Sequence, residues 1–303
     1  MSVDKAYTLA QCSLDGTTID GMQELGVEHG LGLQVAGADG DPFATYSAIA
    51  AVGSIITAGT SKVAVALAKF AGSEIKLYTG HTAAFYFQAL ALGARRTAGS
   101  THLKKTISTG IAIPRSLSVA QGGVAQFSFD AVAIYDGTNN PILIADSQAL
   151  PGTPTLDAQH TVGKVSVNGS QVSGIQSINK EFGITLFILS ADGDPRPTFV
   201  AVKTIRPAIR VVTTDMSFAA TLGNLGLKRS STTVVYLQKR DQGATLVAAN
   251  VAEHISFTMN EGQIIPGRSG VSQEGHATKE FVLQPTYNGT NAPFVTDTAC
   301  VIA

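Results

Sequence analysis

A chain that repeats itself must find one backbone that satisfies two sequences, and this chain repeats over nearly its whole length. Residues 21–48 read GMQELGVEHGLGLQVAGADGDPFATYSA, and residues 174–201 read GIQSINKEFGITLFILSADGDPRPTFVA. They align without a gap, about a dozen of the 28 positions are identical, and several others swap like for like, as in Met22/Ile175, Leu25/Ile178 and Tyr46/Phe199. Upstream, CSLDGTTIDG (12–21) lies over VSVNGSQVSG (165–174). Downstream, His102 falls on His254, Ile113-Pro114 on Ile265-Pro266, Gln121 and Gly123 on Gln273 and Gly275, and YDGTNNP (135–141) on YNGTNAP (287–293). The offset moves from 153 to 152 within residues 70–101, where the copies diverge most. A repeat of this length is a domain and not a solenoid unit, so two tandem copies are expected, at 1–152 and 153–303.

The patterning within each copy is that of a β protein. Residues 10–15 and 163–168 alternate apolar and polar and then reach Asp15-Gly16 and Asn168-Gly169, dipeptides that take the positive φ of a tight hairpin. The runs 31–37 and 184–190 form a second strand. Each ends at Ala-Asp-Gly-Asp-Pro, in which Asp side chains bond back to the backbone, Gly takes positive φ and Pro holds φ. Asp39, Gly40, Asp41 and Pro42, with Asp192, Gly193, Asp194 and Pro195, are therefore expected to be repeated structural turns. Long strands follow at 45–58 and 198–213. Thr60-Ser61 and Thr213-Thr214-Asp215 are N-cap candidates for short helices at 61–70 and 215–224. Further strands are expected at 85–90 and 234–239, 102–113 and 254–265, and 124–135 and 276–287. The Ala-rich stretch around 73–101 leaves helix or strand open. About eight strands and one short helix per half make the class all-β, mainly β with short helices, as tandem antiparallel β-sandwich or barrel domains.

Composition excludes several functions. Charged residues are 14% of the chain, against roughly 25% in ordinary soluble domains, while 44% are hydrophobic. Such a sparsely charged surface suits a subunit that covers much of itself with neighbours. The net charge is −1 and no basic tract exists, which removes the electrostatic footprint of a dedicated nucleic-acid binder. Cys12 and Cys300 stand at opposite ends without metal-ligand spacing and read as reduced, semi-buried thiols. The N-terminal residues show no apolar signal core, and no apolar run is long enough to span a bilayer, so no membrane partner is expected.

A search for chemistry returns little. The Asp-Gly-Asp loops carry two carboxylates, but Phe43-Ala44-Thr45 and Arg196-Pro197-Thr198 follow where a calcium loop would need more oxygen ligands. His102 and His254 lead into strands and lack the nucleophile or orienting carboxylate of a catalytic histidine. Glu28 and Glu181 repeat as half-exposed or interface carboxylates. No G-x-S-x-G, H-E-x-x-H, Cys-x-x-Cys or phosphate-cradling loop is present. Turns, glycines, prolines and core positions are what the copies share, which fits preservation of shape. Neither an enzyme nor a cofactor is expected.

The segment GIQSINKEFGITLFILSADGDPRPTF, followed by a strand, a threonine-capped helix and VVYLQKRDQGATLVAANVAEHISFT, resembles the major tail tube proteins of long-tailed bacteriophages. GMQELGVEHGLGLQVAGADGDPFATY resembles the same pattern. The resemblance implies two packed antiparallel sheets with a flanking helix. It also implies rings of six domains, here trimers of a duplicated chain with pseudo-sixfold symmetry, stacked into a tube that conducts DNA. The implied partners are further copies of the chain, other tail proteins such as tape measure, terminator and tip, and DNA only in transit. The implied location is the virion tail, assembled in the bacterial cytoplasm. The alternative is another virion surface component: a capsid decoration, a spike or a carbohydrate-binding β-sandwich.

Overall fold

A computed structural model describes residues 5–36, 46–51, 53–70, 83–91, 102–152, 159–191, 194, 196–221, 228–230, 232–241, 245–271, 275–287, 289–290 and 292–303. The chain is all-β. The first half runs β1 (Lys5–Leu14), β2 (Thr17–Ile19), β3 (Met22–Glu28), β4 (Leu31–Ala36), β5 (Tyr46–Ala51), β6 (Ser54–Thr60), α1 (Val63–Phe70), β7 (Ala83–Ala91), β8 (His102–Ile107), β9 (Gly110–Ala120), β10 (Gln126–Ala133) and β11 (Ile142–Gln148). The second half runs β12 (Gln159–Val167), β13 (Ser170–Val172), β14 (Ile175–Glu181), β15 (Ile184–Ser190), β16 (Pro197–Ile205), β17 (Ala208–Thr213), α2 (Met216–Thr221), β18 (Lys228–Ser230), β19 (Thr233–Arg240), β20 (His254–Met259), β21 (Gly262–Gly270), β22 (Thr278–Pro285) and β23 (Phe294–Cys300).

Local chemistry explains the repeated corners. The β1–β2 and β12–β13 hairpins turn through Asp15 (φ 48°) and Gly16 (φ 73°), and through Asn168 (φ 48°) and Gly169 (φ 79°). Two consecutive positive φ angles make the hairpin turn that matches strand twist. The Thr60 hydroxyl donates to the Asp20 carbonyl (2.7 Å) and accepts from the Lys62 amide (3.0 Å). Thr213 does the same with the Ser173 carbonyl (2.5 Å) and the Asp215 amide (2.9 Å). These threonines lock the approach to each helix, and the cap of α2 is Asp215, whose Oδ1 accepts from the Phe218 amide at 2.9 Å. Both helices begin later than the sequence suggests, at Val63 and Met216. Asp215→Ala is expected to lower stability by about 1 kcal/mol; equilibrium urea unfolding checks this, and an unchanged midpoint would refute the cap.

Three expectations need correction. The strands anticipated at 45–58 and 198–213 are each broken, into β5 and β6 and into β16 and β17, and the parts join different sheets. Gly30 (φ 54°) and Gly183 (φ 60°) show why: a Cβ at either would overlap the carbonyl oxygen of Gly53 or of Arg206, residues lying at the two breaks. The strands anticipated at 102–113 and 254–265 are broken likewise, after Ile107 and after Met259. Among the described residues the halves therefore hold eleven and twelve strands where about eight were expected, with β11 and β23 added at their ends. Within the stretch left open between helix and strand, residues 83–91 form β7, and 71–82 and 92–101 lie outside the described residues.

Among the described residues the strands form three larger sheets beside the two-stranded pairs β4-β5 and β15-β16. Two have five strands, ordered β11-β8-β7-β1-β2 and β13-β12-β19-β20-β23, so corresponding stretches of the halves take corresponding places. The third is shared, with nine strands in the order β18-β21-β22-β17-β14-β9-β10-β6-β3. The outer sheets pack on the inner face of the shared one. Leu14, Ile56, Phe85, Phe127, Phe129, Val165, Ile178, Phe257 and Phe281 belong to one buried cluster that runs through both halves. The break between 152 and 153 thus falls between β11 and β12, while sheet and core continue across the halves. No helix among the described residues is long and apolar enough to cross a membrane.

Candidate functional site

Among the described residues, those singled out by sequence do not converge on one site. Of the twin turns, Asp39, Gly40, Asp41, Pro42, Asp192, Gly193 and Pro195 lie outside the described residues. Asp194 is described: its amide donates to the Ala191 carbonyl (3.0 Å) and its Oδ1 accepts from the Arg196 amide (2.9 Å), the bonding of a turn. His102 and His254 are fully buried at the starts of β8 and β20. Each uses Nδ1 to accept a neighbouring-strand amide, from Ala89 (3.3 Å) and from Lys239 (3.1 Å). Nε2 of His254 then donates to the Ala248 carbonyl at 3.0 Å. These rings join strands. Among the described residues, no group of three or more His, Cys, Asp or Glu could hold a metal ion. Burial pushes the Cys12 thiol up to about 12, so it stays protonated at neutral pH.

What the fold does bring together is the seam between the halves. β14 pairs antiparallel with β9 through Ser177↔Ala120, Ile178↔Val119, Asn179↔Ser118, Lys180↔Leu117 and Glu181↔Ser116. Two backbone bonds extend it: the Gln121 amide to the Gln176 carbonyl (2.6 Å) and the Phe182 amide to the Arg115 carbonyl (3.1 Å). A second line of contacts ties the first strand of the second half to the loop after β9. There the Ala125 amide donates to the His160 carbonyl (2.7 Å) and the Thr161 hydroxyl to the Gly123 carbonyl (2.9 Å). Phe127 and Phe182 meet edge to face across the seam, with ring centroids 6.0 Å apart. Beside it, the hairpin β15–β16 of the second half lies over the outer face of β9 and β10, where Ile111, Ile113 and Val132 pack with Val200.

Two basic side chains within this seam escaped the sequence reading. Lys180 is fully buried, with Nζ 4.0 Å from the ring centroid of Phe294, 4.8 Å from Phe182 and 4.9 Å from Phe257. Ring faces attract such a desolvated ammonium. His160 lies in a cleft lined by α1, Lys239, Glu253 and Thr298, with Nε2 3.4 Å from the Glu253 carbonyl. Burial lowers its pKa to about 4, and the nearby Lys239 and His254 add to the shift. The signal was present in the repeat: Lys180 stands where the first half has Val27, and His160 where it has Tyr7.

The His160 shift gives stability a pH dependence. Its folded pKa lies below the unfolded value of roughly 6.5, so the unfolded chain takes up the proton first as pH falls. The contribution is full above the unfolded value and is lost as pH falls from there towards about 4. The loss should amount to about 3 kcal/mol across that window. Unfolding midpoints from pH 7 to pH 4 check this. His160→Gln is expected to flatten the slope, and an equal slope in that variant would contradict the assignment.

No protein-family model matches the chain, and no curated protein matches it.

Proposed function

We propose that the chain is a structural virion protein, the major tail tube subunit of a long-tailed phage, forming stacked trimeric, pseudo-hexameric rings around a channel that conducts DNA. The observation that carries this reading is the seam. Corresponding four-strand blocks, β9-β10-β6-β3 and β21-β22-β17-β14, stand side by side in one sheet, joined through unlike edges. A joint between unlike edges is heterologous: repeated, it leaves the same two edges at the ends and closes only as a ring. Closure also removes the exposed strand edges that make open sheets prone to uncontrolled pairing.

The outer face of the shared sheet supports the channel. It carries Thr57, Ser116, Ser128, Asn179 and Glu181, with charge largely balanced by the pairs Arg115–Asp130 (3.6 Å) and Arg210–Glu280 (3.0 Å). A face without a free run of cations lets a polyanion slide and does not grip it. Electron microscopy of the purified protein tests the reading. Six-lobed rings or tubes made of three chains by mass support it. Isolated two-lobed particles at all concentrations overturn it in favour of a decoration or binding module.

A further inference from the structure

The ends of the nine-stranded sheet retain the parts from which its middle is made. Val119 in the seam is 4% exposed, and its counterpart Val271 beyond β21 is 77% exposed. Ile113 under the β15–β16 hairpin is 6% exposed, and its counterpart Ile265 is 37% exposed. His160 is 4% exposed, and its counterpart Tyr7 is 45% exposed. Each bare residue corresponds to one that the seam covers. The polar partners are kept as well: Thr8 matches Thr161, Gln23 matches Gln176, Gly275 matches Gly123 and Ala277 matches Ala125. β18 pairs with β21 only at Gly262, Gln263 and Ile264, so along the stretch that corresponds to the seam, Arg268–Val271, the edge of β21 facing away from β22 has no strand partner among the described residues. β3 is likewise the last strand at the other end.

Resting on the reading of the chain as a self-assembling subunit, we infer that residues 268–271 of one copy pair antiparallel with 25–28 of β3 of a second copy, in the register of β9 with β14. Leu25 then faces Val271, Gly26 faces Gly270, Val27 faces Ser269 and Glu28 faces Arg268. The last pair adds a charge complement at the place where the intramolecular seam has Glu181 and Ser116. The Phe182-to-Arg115 bond fixes which pairs of the seam exchange backbone bonds. By alternation, Glu181/Ser116 and Asn179/Ser118 are non-hydrogen-bonded pairs, where side chains approach most closely. Glu28/Arg268 and Gly26/Gly270 inherit that geometry. The Thr8 hydroxyl would reach the Gly275 carbonyl, and the Ala277 amide the Tyr7 carbonyl, as Thr161 and Ala125 do within the chain. β4–β5 follows β3 as β15–β16 follows β14, and so β4–β5 of the second copy would come to lie over Gln263 and Ile265 of the first.

Two sets of variants of the full chain test the joint. Gly26 has nothing within 4 Å of an added Cβ, and Gly270 only the Thr278 hydroxyl at 4.0 Å, so Gly26→Cys with Gly270→Cys leaves the fold intact. Mild oxidation should convert the double variant into covalently linked multimers on a non-reducing gel, while either single variant should not form such a ladder. Glu28→Arg alone and Arg268→Glu alone should each raise the concentration for half-assembly about tenfold or more, and the double reversal should restore it to within about threefold of the parent. Rings that form without the ladder and without the rescue would overturn this joint and leave the tube reading standing. A parent chain that never assembles would overturn both.

Discussion

Phe129→Ala is expected to lower the stability of the isolated chain by about 3–5 kcal/mol, the range for removing a large aromatic from a packed core. Phe129 is fully buried on β10 and sits among three other rings, with centroids 6.0 Å from Phe70, 6.5 Å from Phe85 and 6.2 Å from Phe127. Phe70 comes from α1, Phe85 from the outer sheet and Phe127 from the shared sheet, so the cavity would open where three elements meet. Close-packed interiors relax only partly around such a void. Guanidinium unfolding followed by far-ultraviolet circular dichroism measures the effect. A loss below about 1 kcal/mol would mean that the outer sheet does not pack on the shared sheet as described.

Ile178→Asp is expected to be more damaging, at about 4 kcal/mol or above, and to abolish cooperative folding of the whole chain. Ile178 is fully buried and faces Val119 across the seam, and a carboxylate there would lose its water without gaining a partner. The same change at the repeat-equivalent Leu25, half-buried on the end strand β3, is expected to cost the monomer only about 1–2 kcal/mol, because solvent still reaches an edge strand. The contrast is the informative measurement. Equal losses at the two positions would show that the seam is no more closed than the free edge. Because the halves share both sheet and core, a single unfolding transition is expected for the parent chain and loss of that cooperativity for Ile178→Asp.

Tandem linkage has a physical consequence for assembly. The joint between halves forms within one chain, at an effective concentration on the order of mM, so in the proposed ring half of the joints would carry no separate association cost. In that proposed ring only the joint between chains would depend on concentration. That asymmetry fits the two sets of residues. The internal seam is free to use a buried Lys180 among aromatic rings and a buried neutral His160. The corresponding positions of the first half carry Val27, half-buried, and Tyr7, exposed, side chains that tolerate water.

Much of this protein was legible in the residues. Alternation at 10–15 and 163–168, the Asp-Gly and Asn-Gly turns, and the run of strand patterns specified an all-β chain, because period-two burial and positive-φ turns are local properties. The 21–48 and 174–201 repeat placed the same elements in both halves. Contacts distant in sequence decided the rest. The breaks at residues 53 and 206–207 arise because Gly30 and Gly183 bring another stretch of backbone against the strand, and no local pattern reports a carbonyl arriving from over twenty residues away. The seam itself was invisible for the same reason: strand edges carry the same N–H and C=O groups whatever the side chains, so only the tertiary structure shows which edge finds a partner. That choice, β9 with β14, turns two similar halves into one sheet with two unlike ends.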